Sequence, residues 1–163
     1  DYFTDEELEL VRDAQDIDLR IKVLTHAIDR RLAILNIGPA ATGKELKESD
    51  NWGPPPTGSR SQLLSDIKRI LQKAVDDIDD TSAHAGTTMA RTPENPTKKD
   101  KLDPPFARAL RELDTAAKRY KPLFQAELDK STNAKDNGPV LDAIDLCDQI
   151  VEGISKAQAP VKN

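Results

Sequence analysis

Apolar residues recur along this chain at alternating spacings of three and four, the period of a helix with one buried face, in four separate stretches. The first stretch begins behind Thr4 and Glu7, a capping-box pair. It carries Leu10, Ala14, Ile17, Ile21, Leu24 and Ile28, then drifts across Arg31 to Leu32 and Leu35. It predicts one long helix over residues 5–36, stopped where Gly38 can adopt the left-handed cap conformation and Pro39 cannot extend the helix.

The second stretch, with Leu64, Ile67, Leu71, Ala74 and Ile78, predicts a helix over 60–84 ending before Gly86. In the third, Asp103 and Pro104 form a start signal and the seam is Phe106, Leu110, Leu113, Ala117, Tyr120 and Phe124. Pro122 predicts a kink or break near residue 121 within a helix over 104–130. The fourth, over 138–157 with Pro139 in its first turn, has Val140, Ile144, Cys147, Val151 and Ile154 on one face.

No one of these stripes can be buried by its own helix, so the expected fold is all-α: a four-helix bundle forming a single domain over 1–163, with long loops at 37–58 and 86–102. With aromatic residues at 4%, the core must be made from Leu, Ile, Val and Ala, which favours helices over a sheet. A net charge of -5 disfavours non-specific binding to nucleic acid or to an anionic membrane surface, so no nucleic-acid partner is expected. No apolar run approaches the roughly 18 residues of a membrane span, so no membrane insertion is expected either. The chain starts at Asp1 and its only methionine is Met89, which suggests an exported bacterial protein, periplasmic or extracellular after removal of a signal peptide, with a cytoplasmic location as the alternative.

Candidate chemistry is sparse. GPAATGKE, Gly38 to Glu45, sets Gly38, Gly43 and Lys44 in the register of a phosphate-binding loop but puts Glu45 where magnesium needs a hydroxyl, and the preceding segment reads as a helix where that loop needs a strand. The stretch is better read as helix punctuation. Asp76, Asp77, Asp79 and Asp80 crowd the end of the second helix, and Asp80 and His84 are one turn apart. Asp76, Asp80 and His84 are therefore the candidate ligands for a divalent metal, against the plainer reading of a solvated acidic helix end neutralised by neighbouring Lys or Arg.

His26 falls opposite the first seam and should be exposed, with an acid, Asp29, nearby where phosphotransfer chemistry would want a lysine. Cys147 lies on a seam beside Asp145 and Asp148, as a core filler and not a reactive thiol. The segment around Trp52, Pro54, Pro55 and Pro56 is stiff and extended, so that Trp52 either packs on the helices or is offered to a partner. The function expected from all this is a non-enzymatic bundle, structural or acting through a protein partner at a groove, at its acidic end or at the proline segment. No resident cofactor is expected. The alternative is a bundle that binds a divalent metal or a small molecule.

Overall fold

The computed structural model describes residues 2–38, 50–89, 104–130 and 134–158, leaving aside the side chains of residues 50, 83–89 and 157–158. Among the described residues there are five α-helices and no strand: α1 (Asp5–Asp13), α2 (Ile17–Leu35), α3 (Arg60–Met89), α4 (Pro104–Lys130) and α5 (Ala134–Gln158), with a 3-10 turn at Asp50–Trp52. No helix is long and apolar enough to cross a membrane among the residues described.

The helix expected over 5–36 is two helices. The Thr4 capping box forms as its sequence indicates, with the Glu7 amide donating to Thr4 Oγ1 at 3.1 Å and the Thr4 amide donating to Glu7 Oε1 at 3.0 Å. The helix then stops at Asp13, Ala14 takes an extended backbone, and α2 restarts behind Asp16. Buried charge explains the break. Glu7 contacts Arg31, 24 residues later, whereas a continuous helix would hold them about 36 Å apart. Folding α1 back on α2 brings them together and also buries Phe3 and Val11.

At its other end α2 closes with Asn36 as its left-handed cap (φ 57°), Gly38 beyond it also has a positive φ of 94°, and the Ile37 amide donates to the Leu32 carbonyl at 3.0 Å. A helix thus precedes Gly38, and Pro39 to Glu45 lie outside the described residues.

Of the remaining helices, one keeps its expected bounds, 104–130, and two extend beyond theirs. Helix α3 continues through Gly86 to Met89, since a helical glycine costs only about 1 kcal/mol against alanine. Helix α4 runs unbroken through Pro122. Pro122 is exposed, as is Lys118, whose carbonyl it leaves without an amide, while buried Tyr120 and Phe124 hold the turn in place. Helix α5 begins a turn earlier than 138. Its first turn is fastened to the start of α3, where Asp136 accepts from Ser61 Oγ at 2.6 Å and from Arg60 Nε at 3.2 Å, and Arg60 also pairs with Glu127 of α4.

The four long helices pack in a cycle, α2 on α3, α3 on α5, α5 on α4 and α4 on α2. Cross-helix ion pairs give their directions. Asp18 meets Arg108 and Asp29 meets Arg119, both at a separation of 90 residues, so α2 and α4 are parallel. Arg60 meets Asp136 and Lys68 meets Asp142, so α3 and α5 are parallel too. Arg31 faces Asp66 while Arg20 faces Asp77, so α2 and α3 run in opposite senses. The interior of the cycle is apolar, built from such residues as Leu24, Ile28, Ile67, Leu71, Leu113, Phe124 and Cys147. Its chief polar intrusion is the Tyr120 hydroxyl, 3.0 Å from both the Thr25 carbonyl and Asp29 Oδ1, two acceptors for one proton.

Candidate functional site

The most concentrated chemistry in the described structure was not legible as a motif. Glu7 is 0% exposed, Arg31 1% and Arg30 8%. The Glu7 carboxylate accepts from Arg30 Nη1 at 2.7 Å and from Arg31 Nη1 and Nη2 at 3.0 and 2.7 Å, besides the Thr4 amide. Arg31 also donates to the carbonyls of Ala27 and Tyr2, at 2.8 and 2.9 Å. Its Nε faces Asp66 at 3.7 Å, and burial pushes the Asp66 carboxyl up from its ordinary range against the pull of Arg31. The drift of the first stripe across Arg31 is thus a buried ion cluster. A carboxylate so fully occupied by protein donors has no free lone pair to offer a substrate or a metal, and the cluster works as a clamp between α1 and α2.

The same clamp settles where Trp52 goes. Arg30 Nη2 donates to the carbonyls of Gly53 and Pro54 at 3.2 and 3.0 Å, and its guanidinium lies 5.4 Å from the Trp52 ring centroid. On the other side His26 lies 4.4 Å from the Trp52 ring, so His26 is half-buried and not exposed as its position opposite the seam suggested. Gly53 has φ 66°, and a Cβ there would come within 2.6 Å of the Glu6 side chain, so only glycine lets this turn sit against α1. Trp52 therefore packs against the core, Pro56 is buried, and Pro54 and Pro55 are exposed.

The acidic run divides. Asp77 is buried, accepting from Lys73 at 3.3 Å and facing Arg20 of α2 at 3.7 Å, whereas Asp76, Asp79 and Asp80 are exposed. Asp76 accepts from Gln72 at 3.1 Å. The His84 side chain lies outside the described residues, and no group of three or more His, Cys, Asp or Glu among those described is placed to hold a metal. Cys147 is fully buried, and burial with Asp148 nearby pushes its thiol up to about 12, which keeps it protonated and unreactive.

Helices α3 and α5 leave a half-open slot of about 400 Å³ between them. Buried Phe106, Leu110 and Leu113 of α4 form its floor with Ile150 and Ile154 of α5, and half-buried Val75 and Ile78 form a wall. Exposed Asp79, Ser82, Gln149 and Gly153 stand at its mouth. Gly153 is part of its lining. It sits inside a helix, where glycine costs about 1 kcal/mol, and a Cβ built on it would meet nothing within 4 Å. A larger residue in its place would project over the cavity. From sequence, Gly153 reads as a weak helix position, and only the structure places it opposite α3.

The chain matches no protein-family model, and no similar curated protein or solved structure was found.

Proposed function

We propose that α2 to α5 form a four-helix bundle braced by α1, and that this bundle is a non-enzymatic binding protein which seats a small, largely apolar molecule in the slot between α3 and α5. The observation that carries this reading is the composition of the slot: an apolar floor and wall with a few polar groups at the mouth, in the size range of small-molecule sites and in a common location for them, between the helices of a bundle. Binding is favoured over catalysis because, among the described residues, the lining holds a single titratable side chain, Asp79, and so no acid and base pair. A role for Trp52 as a partner anchor is disfavoured by its engagement with His26 and Arg30.

The test uses N-phenyl-1-naphthylamine, an uncharged probe whose fluorescence rises in apolar surroundings. The wild-type protein and Gly153→Ala should both enhance it saturably, whereas Gly153→Phe, with a far-UV spectrum unchanged, should lose most of the enhancement. Equal enhancement by the phenylalanine variant, or none by wild type, contradicts the reading.

A further inference from the structure

Among the described residues the slot has one charged lining residue, and its sign selects among ligands. Asp79 stands at the mouth on α3 and makes no hydrogen bond or ion pair with any described residue. Among the described residues no lysine or arginine lines the cavity. On α5 the basic side chain one turn beyond Gly153, Lys156, is tied to Glu152 at 3.2 Å, and on α3 Lys73 is tied to Asp77. Exposed Asp76 lies beside Asp79 on the same helix and adds to the negative potential on that side. Ser82 and Gln149 offer hydrogen-bonding groups at the same opening, so the polar end of a bound molecule meets an acceptor-rich rim while its apolar body lies on Leu110, Leu113 and Ile150.

On the strength of the binding reading above, we infer that the slot takes small amphiphilic cations, molecules with an aromatic or branched apolar body and a protonated amine at one end. Charge at the mouth adds selectivity more than affinity, because an exposed ion pair contributes little and is screened by salt. The apolar body supplies most of the binding and the amine sets orientation.

The experiment compares three molecules with one apolar body, 2-(1-naphthyl)ethylamine, 2-(1-naphthyl)ethanol and 1-naphthylacetate, as competitors of the bound probe at low and at 0.5 M salt. At low salt the amine should bind about two- to fivefold more tightly than the alcohol, the size expected of an exposed pair, and the acetate more weakly than either. High salt should narrow the differences, and Asp79→Asn should erase the preference for the amine over the alcohol; a preference that survives in Asp79→Asn overturns the charge inference. Equal binding of all three, or a preference for the acetate, overturns the charge inference while leaving the binding reading in place. Failure of all three to compete overturns both.

Discussion

Removing the Glu7 carboxylate should be among the most damaging single changes in the described structure. In Glu7→Gln the side chain keeps its size, but two guanidinium groups lose the Glu7 charge in a region where Arg31 is 1% and Arg30 8% exposed. Three charge-assisted contacts at 2.7 to 3.0 Å are lost or weakened. Breaking a buried ion pair from one side costs about 3–5 kcal/mol, a large part of the roughly 5–15 kcal/mol that holds a domain folded. For a chain of this size that corresponds to a fall in Tm of about 6–20 °C.

Urea unfolding followed by far-UV circular dichroism measures the loss. Acrylamide quenching of the single tryptophan reports the local effect, because Arg30, which holds Gly53 and Pro54, is itself anchored on Glu7. Quenching should increase in the variant. A loss below about 1 kcal/mol for Glu7→Gln, well under the cost of breaking a buried ion pair, would refute the claim that a buried charge cluster fastens α1 to α2.

Three further outcomes follow from the same structure. Pro122→Ala should stabilise the protein by about 1–2 kcal/mol in the same urea assay, because the helix already continues through this exposed position and regains a hydrogen bond, less the entropy that proline removes from the unfolded chain. Gly153→Ala should add about 0.5–1 kcal/mol, since its Cβ meets nothing; a destabilised variant would show that the space there is filled. Cys147 should resist 5,5′-dithiobis(2-nitrobenzoate) at pH 8 until the protein is unfolded. Because its folded-state pKa lies above the unfolded one, its contribution to stability is intact below the ordinary thiol pKa and is lost as pH rises from about 9 towards about 12, a slope that Cys147→Ala should remove.

The helical class and the four main seams were legible because an apolar stripe must be buried whatever it packs against, and most of the seam residues, from Ile21 to Cys147, are in the core. The break at Ala14 was hidden by that same regularity: Leu10, Ala14 and Ile17 keep the helical period across a segment that is not helical. Asp13 and Asp16 were the available signal, since aspartate is a poor interior residue and a good N-cap. Arg31 on an apolar seam was a second signal, pointing to a buried acid elsewhere, but periodicity cannot say which of many acids it is. Gly86 misleads for the opposite reason: local propensity argues for a stop, and a small cost lets the helix go on, whereas Pro122 stands inside a helix that keeps its expected bounds. The slot was not readable at all, because it depends on Gly153 facing α3 across a parallel pair whose direction no sequence pattern encodes.

The binding slot is tested most directly by methyl-resolved NMR during titration with 2-(1-naphthyl)ethanol. The expected result is saturable shifts concentrated on Val75, Ile78, Leu110, Leu113, Ile150 and Ile154, with the methyls of Leu24, Ile28 and Leu32 on α2, which does not line the slot, unmoved. Shifts scattered over the protein, or centred on the Trp52 side of the molecule, would contradict it.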